Sequence, residues 1–368
     1  MIQKKIEEIC RVFRIPGQVI LMEPLTSGHI NTTYAVTLRD KEVDRQYVLQ
    51  KVNIFVFKNP KRIMRNIERI TTHIAEKLEA EGKSRDQVMH FLCTEYGNNY
   101  YIEDQGFWRV SEYVPNTVTK NSCESLDCLR SAGRAFGNFQ TMLSDFRAEE
   151  LYETIPDFHN TRRRIEVFFD HVKEDPCGRV GEVTAEIEKI RSMKSLACRL
   201  GDLVDAGALP LRVTHNDTKI NNVLFDKDTG EAKTVIDLDT VMPGLVAYDF
   251  GDAIRYAANT SVEDEVDLSL TSLDLDRFRA FSEGFIPEVI DTLTPLELQT
   301  LSLGAFTMTL ELVVRFLDDY ITGDPYFKTH YRGHNLVRAR CQLRLAEDML
   351  AHMEEMNRIV SEVSGISF

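Results

Sequence analysis

The sequence predicts an α+β fold of two lobes, with a small β-rich first lobe and a larger, mostly helical second lobe. Stretches rich in β-branched and aromatic residues are concentrated in the first third of the chain. Segments with apolar residues every three or four positions occupy most of the remainder. The length of 368 residues also favours two domains over one. We expect a first lobe of residues 1–114 and a second lobe of residues 115–368.

The first lobe is expected to contain a short amphipathic helix over residues 2–13, followed by strands. Three stretches have strand composition and are separated by turn-forming residues, which predicts a β-meander; they are GQVILMEPL, TTYAVTL and RQYVLQKV. A helix then begins at Pro60, because isoleucines recur at intervals of three and four as far as Leu78. Two further strands are expected within residues 99–114.

The second lobe contains several segments of helical spacing and one exception. Residues 213–239 read VTHNDTKINNVLFDKDTGEAKTVIDLD, which predicts a strand, a loop, and two strands joined by a turn at Gly230. A long helix is expected near the end of the sequence, where Met349, Met353 and Met356 form a stripe that we interpret as core filling.

Composition excludes several classes of partner. The formal net charge is −14, from 44 basic and 58 acidic residues, so general affinity for nucleic acid or an anionic membrane is not expected. A local basic pocket for a nucleotide remains compatible with this charge. The amphipathic first residues lack the apolar core of a signal peptide, and no stretch approaches the roughly 18 uncharged apolar residues of a membrane span. The seven cysteines contain no CxxC pair and indicate reduced thiols in a cytoplasmic protein.

The string HNDTKINN has the residue types and spacing of a phosphoryl-transfer loop. Such chemistry needs a carboxylate that orients the attacking hydroxyl and oxygen ligands for magnesium. Asp217 and Asn222 lie five residues apart, in the pattern H-x-D-x-x-x-x-N. The predicted hairpin then returns the chain, so that Asp237 is expected close to Asn222. The alternative is an Asx-type turn at a strand end, where Asn and Asp are common.

The sequence resembles the aminoglycoside phosphotransferase and choline kinase superfamily, whose members are protein-kinase-like enzymes that phosphorylate small molecules. Within it, the chain is most similar to N-acetylhexosamine 1-kinases. The strings that carry the resemblance keep the same order and spacing; they are SGHINTTY, RVTHNDTKINNVL, IDLDTVMPG, DFGDAIR, RFLDDY and HNLVR. The resemblance implies a bilobal protein-kinase-like fold that uses ATP and Mg²⁺. It also implies phosphate transfer to the anomeric C1 hydroxyl of N-acetylglucosamine or N-acetylgalactosamine.

The same resemblance implies roles for the acidic residues. Asp217 is expected to be the catalytic base and to contact the substrate, with Asn222 and Asp237 as the magnesium ligands. Asp249 belongs to an Asp-Phe-Gly triplet that carries the metal ligand in protein kinases. It follows Asn222 by 27 residues, whereas Asp237 follows by 15 and closes the hairpin directly, so the metal is assigned to Asp237. The resemblance implies that the later carboxylate, Asp249, supports the backbone of the catalytic loop instead. The role of Asp239 stays open between substrate contact and structural support.

A phosphate-covering loop is expected in SGHINTTY, between two predicted strands. Ser27 and Gly28 allow backbone amides to approach phosphate oxygens, and His29 and Asn31 add side-chain donors. The alternative is a plain hairpin turn. By resemblance, His29 and Asn31 reach the sugar rather than the nucleotide.

The nucleotide side departs from the protein-kinase pattern at one position. Protein kinases pair a lysine on the third strand with a glutamate on the next helix. Here we align Gln50 with that lysine, which leaves Lys51 on the opposite face of the strand. Either this register is off by one, or the α- and β-phosphates are held without the ion pair, so the pairing of Lys51 with Glu68 stays undecided. At the join of the lobes, backbone groups from Glu112 to Val114 are expected to bind the adenine edge.

The acceptor side is expected to include Arg315 and Tyr326. Glu311 and Asp319 flank Arg315 at four residues on each side, so a salt bridge on the helix surface is one explanation. The other is that Arg315 hydrogen-bonds sugar oxygens while Tyr326 packs on the sugar ring. Similarity to the hexosamine kinases favours the second explanation.

Two alternative functions remain at the level of sequence. One is a kinase of the same fold with a different acceptor, such as another sugar, an amino alcohol or an aminoglycoside. The other is a catalytically silent nucleotide-binding scaffold, which the absence of the strand lysine favours and the intact acidic set opposes. We expect a monomer or a homodimer that binds a nucleotide and a small sugar.

Overall fold

A computed structural model of the chain describes residues 2–25, 31–103 and 106–367. The chain forms two compact units. Unit 1 comprises residues 1–119, 149–155 and 223–242, and unit 2 comprises residues 120–148, 156–222 and 243–368. Unit 1 therefore includes segments that lie beyond residue 114, and the division into functional lobes at that residue stays a prediction.

The helices and strands follow the predicted order. The helices are α1 (Ile2–Val12), α2 (Pro60–Ala80), α3 (Leu126–Met142), α4 (Thr161–Glu174), α5 (Thr184–Ala197), α6 (Arg199–Asp205), α7 (Val246–Ala257), α8 (Leu275–Val289), α9 (Pro295–Gln299), α10 (Leu301–Ile321), α11 (His334–Ala351) and α12 (Met353–Ser364). The strands are β1 (Gln18–Leu25), β2 (Thr32–Asp40), β3 (Val43–Val52), β4 (Tyr101–Glu103), β5 (Gly106–Glu112), β6 (Thr117–Thr119), β7 (Arg212–Thr214), β8 (Val223–Asp226), β9 (Ala232–Val235) and β10 (Met242–Gly244).

Unit 1 is organised around a five-stranded sheet in the order β1-β2-β3-β5-β4. Its pairings are antiparallel, which confirms the predicted meander. One face packs on α1, and Trp108 and Val110 belong to that apolar cluster. Because side chains alternate along a strand, Arg109 projects from the opposite face, and its Cα lies opposite that of Gln50 in β3.

A second, three-stranded sheet in unit 1 has the order β6-β8-β9. The hairpin predicted from the sequence is present, with β8 and β9 antiparallel and Val223 opposite Val235. Gly230, in the turn between them, has φ of +75°, which glycine adopts without the steric cost that a side chain brings. The conformation of Gly230 therefore agrees with the turn that the sequence predicts at this position.

Unit 2 is mostly helical, with β7 pairing with β10 as its short sheet. Its largest described cluster joins α4, α5, α10 and α11, and includes Phe168, Ile187, Phe316 and Leu343. The methionine stripe is core, as predicted, because Met349 and Met356 are fully buried and Met353 packs beside this cluster. No described helix combines the length and the apolar character needed to cross a membrane.

Two glycines allow α7 and α10 to cross at backbone contact. A Cβ built on Gly251 would lie 2.3 Å from the carbonyl oxygen of Gly304. A Cβ on Gly304 would lie 2.0 Å from the carbonyl oxygen of Ala247. Both distances are below any tolerable contact with backbone, so the crossing fixes the position of α7.

Cys123 and Cys128 form a disulfide across a separation of five residues. The expectation that all cysteines are reduced is therefore wrong for this pair. The described chain keeps five free thiols, of which Cys10, Cys198 and Cys341 are buried. The two cysteines do not form a CxxC pattern, because four residues separate them across the turn that leads into α3.

We predict that Gly304→Ala destabilises the protein, because the added methyl group forces α7 and α10 apart. Overpacking of this kind costs about 1–3 kcal/mol, which thermal or denaturant unfolding would measure. Gly201→Ala is the matched control, since it lies in α6 with no atom within 4 Å of the new Cβ. There the gain in helix propensity should stabilise by up to about 1 kcal/mol. Equal effects of the two substitutions would contradict the proposed packing constraint.

Candidate active site

The loop after β7 brings Asp217 and Asn222 together. The Asn222 amide nitrogen donates to the main-chain oxygen of Asp217 at 2.8 Å and to its carboxylate Oδ2 at 3.1 Å. A short 3₁₀ turn over Ile220–Asn222 makes this return possible within five residues. Since the amide nitrogen is used in this way, the amide oxygen of Asn222 is the atom left for another partner.

Lys219 lies beside the same carboxylate. Its Nζ is 3.0 Å from Asp217 Oδ1. The negative charge of Asp217 raises the pKa of Lys219 above its ordinary value, outweighing the opposing effect of burial. Lys219 is therefore protonated at neutral pH, so a fixed positive charge accompanies Asp217.

Asp249, near the start of α7, holds the backbone of this loop. Its carboxylate accepts from the amides of His215 at 2.8 Å and Asn216 at 2.7 Å, and from the side chain of Gln140 at 2.6 Å. Burial raises the pKa of Asp249, while the donated hydrogen bonds from the loop act in the opposite direction. The prediction that Asp249 supports the loop backbone is confirmed.

Asp252, one turn further along α7, binds the next part of the loop and was missed by the sequence analysis. Its carboxylate accepts from the amide of Thr218 at 3.0 Å and pairs with Arg255 at 2.8 Å. Although burial opposes it, the charges of Arg255 and Lys219 lower the pKa of Asp252. The signal was present in the string DFGDAIR, because carboxylates three residues apart share one face of a helix.

Asp237 follows the hairpin and has an exposed side chain in an unusual backbone conformation. Its φ and ψ are 60° and 57°, in the left-handed region. Asn216, which precedes Asp217, also has a positive φ of 63°. Left-handed residues other than glycine are uncommon and cluster at functional sites. One of these two conformations belongs to Asp237, the predicted metal ligand, and the other to Asn216, which directly precedes the predicted base Asp217.

Asp239 and Gln50 share a buried cation, Arg109. The guanidinium of Arg109 pairs with Asp239, and both side chains are only 2% exposed. Its Nε donates to Gln50 Oε1 at 2.9 Å. Gln50 thus faces this network, and Lys51 projects from the other face of the sheet. The burial of Asp239 and its pairing with Arg109 favour structural support over substrate contact.

Of the residues predicted to bind the nucleotide, the structure describes some and not others. Ser27, Gly28 and His29 lie outside the described residues. Asn31 uses both ends of its amide within unit 1, donating to Asp239 at 2.8 Å and accepting from the Asn53 amide at 3.0 Å.

Glu112 and Val114 both lie where the chain leaves β5. The Glu112 carboxylate lies 3.2 Å from His90, and the Val114 carbonyl accepts from the Thr117 hydroxyl at 2.7 Å. These contacts hold the segment locally. Its binding to adenine stays a prediction.

Arg315 is held between aromatic rings. Its guanidinium lies 5.6 Å from the ring centre of Phe158 and 5.5 Å from that of Phe327. Within residues 2–25, 31–103 and 106–367, it forms neither a hydrogen bond nor an ion pair. Tyr326 is 65% exposed, and its role at a sugar ring stays a prediction.

The two acidic residues flanking Arg315 do not form the surface salt bridges considered from the sequence. Glu311 is buried, and it binds His159 at 2.9 Å and Thr161 at 2.6 Å. Asp319 instead accepts from the amide of Tyr326 at 2.8 Å and from the neighbouring amide at 3.0 Å. The helix-surface explanation is wrong because other segments of unit 2 cover this part of α10.

His159 connects the surroundings of Arg315 to the catalytic loop. Its Nε2 lies 3.3 Å from the carbonyl oxygen of Asn216, and its Nδ1 faces Glu311. Although burial acts against it, His159 and two arginines, Arg164 and Arg315, lower the pKa of Glu311. Arg164 lies in a run of three arginines at the start of α4, and nothing local in the sequence indicated this contact.

Asn222 of unit 2 and Asp237 of unit 1 each carry an oxygen of the type that magnesium binds. Among residues 2–25, 31–103 and 106–367, no group of three or more His, Cys, Asp or Glu side chains is arranged to hold a metal. Mg²⁺ is commonly bound by one or two protein oxygens together with substrate phosphates. The amide oxygen of Asn222 and the exposed carboxylate of Asp237 are oxygen ligands of this kind.

The fold is shared with known kinases of small molecules. A spectinomycin phosphotransferase in complex with ADP and spectinomycin aligns with a TM-score of 0.55 at 11% identity, covering 99% of this chain and 97% of that chain. An aminoglycoside phosphotransferase from Alicyclobacillus acidocaldarius aligns with a TM-score of 0.59 at 11% identity, covering 92% of each chain. A choline kinase from Cryptosporidium parvum gives 0.55 at 10% identity, covering 98% and 99%.

These similarities confirm the predicted fold class, an α+β protein-kinase-like fold with a β-rich and a mostly helical lobe. The sequence itself matches the model of the phosphotransferase enzyme family over residues 22–281, which is more than half of the chain. That match includes the catalytic loop, the hairpin and α7. The chain therefore belongs to the phosphotransferase enzyme family.

Proposed function

We propose that the protein is an ATP- and Mg²⁺-dependent kinase of N-acetylhexosamines. The reaction is transfer of the γ-phosphoryl group to the anomeric C1 hydroxyl of N-acetylglucosamine or N-acetylgalactosamine, giving the sugar 1-phosphate. The observation that carries the chemistry is the Asp217 carboxylate, held by Asn222 on a loop whose amides bind Asp249. The choice of acceptor rests on the sequence resemblance and on the surroundings of Arg315.

Asp217 acts as the general base in this proposal. Its carboxylate orients the C1 hydroxyl and accepts the hydroxyl proton as the sugar oxygen bonds to the γ-phosphorus, while the bond from that phosphorus to the bridging oxygen of ADP breaks. The transition state of phosphoryl transfer is loose, so positioning supplies most of the effect of the base. The hydrogen bond from the Asn222 amide to Oδ2 restricts the rotation of the Asp217 side chain, as a positioned base requires. Lys219 adds a positive charge beside the reacting groups.

The nucleotide is ATP in this proposal, with Asn222 and Asp237 as ligands of its magnesium ion. When bound, magnesium neutralises charge on the phosphate oxygens. The solved spectinomycin phosphotransferase of this fold contains ADP, which supports a nucleotide as co-substrate. We assign Ser27, Gly28, His29 and Asn31 to phosphate or sugar binding. The segment from Glu112 to Val114 is assigned to the adenine edge, as expected from the sequence.

The environment of Arg315 favours a neutral, oxygen-rich acceptor over a cationic one. A guanidinium between two aromatic rings can donate hydrogen bonds to sugar or acetamide oxygens, and the rings are suited to the apolar faces of a sugar. An aminoglycoside or an amino alcohol carries positive charge, which Arg315 repels. Arg164 lies nearby, where burial and the charge of Arg315 lower its pKa, and it is 3.5 Å from the buried carboxylate of Glu311. The charge of Arg164 is therefore paired, and Arg315 is the cation considered for the acceptor.

We predict that Arg315→Met raises KM for the N-acetylhexosamine at least ten-fold and leaves KM for ATP nearly unchanged. The reason is that methionine cannot donate hydrogen bonds to the sugar. A ten-fold rise in KM corresponds to a loss of about 1.4 kcal/mol of binding free energy. ADP release would be measured with N-acetylglucosamine, N-acetylgalactosamine, choline and kanamycin, and the product identified by ³¹P NMR. Arg191→Met is the control, since Arg191 also lies over a phenylalanine ring but on the surface of α5. Turnover of only cationic acceptors would refute the proposed substrate class.

We predict that Asp217→Asn lowers kcat about 10²–10⁴-fold, the usual contribution of a general base. Binding of ATP, measured by isothermal titration calorimetry, should change little. Asp291→Asn, an exposed carboxylate of unit 2, is the matched control and should keep full activity. Full turnover by the Asp217→Asn enzyme would remove the proposed mechanism, and absence of turnover by the unsubstituted enzyme across the acceptor panel would favour a silent scaffold.

A further inference from the structure

The short turn after Asp237 is anchored by several segments of unit 1. It contains a 3₁₀ turn over Leu238–Thr240, and its second residue, Asp239, is a buried carboxylate. Arg109 from β5 pairs with that carboxylate, and Asn31 donates to its Oδ2 at 2.8 Å.

The main chain of the turn is anchored as well. The Asp239 carbonyl accepts from the Thr154 hydroxyl at 3.3 Å, and the Val241 carbonyl accepts from Asn66 of α2 at 3.0 Å. Four segments of unit 1 thus bind a turn of five residues. Asp237, at its start, is exposed and has a left-handed backbone that this anchoring holds in place.

Arg109 is the central group of this network. Its side chain is buried, so its charge needs a partner inside the protein. It bonds Asp239 and also donates to Gln50 at 2.9 Å, directly across the β3–β5 pair. Gln50 is the residue that the sequence analysis aligned with the strand lysine of protein kinases. The fixed cation in this unit is therefore on the neighbouring strand, and its carboxylate partner lies two residues after Asp237.

We propose that the buried Arg109–Asp239 pair is a positioning device for Asp237, which holds this carboxylate in the orientation that binds the magnesium of the nucleotide. The inference rests on the proposed function, because that function assigns Asp237 to the metal. Neither Arg109 nor Asp239 touches substrate in this view. The pair acts through the backbone of residues 237–241.

The test removes both charges together. A buried ion pair replaced by neutral groups of similar size often leaves stability unchanged, whereas removal of one partner leaves a buried charge alone. Arg109→Met/Asp239→Asn is therefore the main variant, and Arg109→Lys is the conservative one. Val110→Ala is the matched control, because it weakens the same strand from its other face, within the cluster packed on α1.

The primary measurement is Mn²⁺ binding in the presence of a non-hydrolysable ATP analogue, followed by the EPR signal of the free ion. We expect the double variant to unfold at nearly the wild-type temperature and to need at least ten-fold more Mn²⁺ for half-saturation. The Arg109→Lys variant should need a Mn²⁺ concentration between those of the wild type and the double variant. Val110→Ala should lower the unfolding temperature and leave the Mn²⁺ requirement unchanged. Amide hydrogen exchange over residues 236–241 should be faster in the double variant, whatever its activity.

The outcomes separate this inference from the proposed function. A double variant that binds Mn²⁺ like the wild type, with unchanged exchange at residues 236–241, overturns the positioning role and leaves the kinase proposal intact. A Mn²⁺ requirement that follows the unfolding temperature across all variants also overturns it. If the wild-type protein binds no metal in the presence of nucleotide, the assignment of Asp237 itself fails, and the positioning role fails with it.

Discussion

The geometry of the catalytic loop depends on one buried carboxylate that does not belong to the loop. Asp249 accepts hydrogen bonds from two successive amides of the loop and from Gln140. A carboxylate without water and without such donors would lose several kcal/mol of solvation, so the loop and Asp249 satisfy each other. These bonds also hold Asn216 in its left-handed conformation, which sets the direction in which Asp217 leaves the backbone.

The same dependence extends to helix packing. Asp249 and Asp252 reach the loop only because α7 lies where it does, and α7 is fixed by its glycine contact with α10. Two turns further along α10, Glu311 binds His159, which in turn contacts the Asn216 carbonyl. The helix that carries Arg315 is thus connected to the loop that carries Asp217 by two separate sets of contacts, one through glycines and one through a buried histidine.

The parts of the fold and site that could be predicted from the sequence are those whose partners are close in sequence. Asp217 and Asn222 are five residues apart, and the hairpin register follows from strand length and the turn at Gly230. The helical period predicted α2 as well, since its isoleucines are buried as expected. The likeness of short strings to a known superfamily added the support role of Asp249, for which spacing alone gives no evidence.

Other features depend on partners far away in the chain. The spacing around Arg315 shows which residues share its helix face, but Glu311 is bound by His159, which lies 152 residues earlier. Strand alternation predicted the face of Gln50, yet the partner of Arg109 is 130 residues away at Asp239. The disulfide between Cys123 and Cys128 is local, and it was missed because composition alone does not report the distance between two thiols.

Unit 1 is built from three stretches of chain, and the last of them ends at residue 242. During synthesis, residues 1–119 leave the ribosome long before the segment that contains Asp239. Until that segment emerges, Arg109 has no carboxylate partner at its side of the sheet, and desolvating its charge there is unfavourable. The nascent first unit is therefore expected to keep this face hydrated and accessible to chaperones. It can bury this face only after α3 to α6, the helices that precede the hairpin, have been translated.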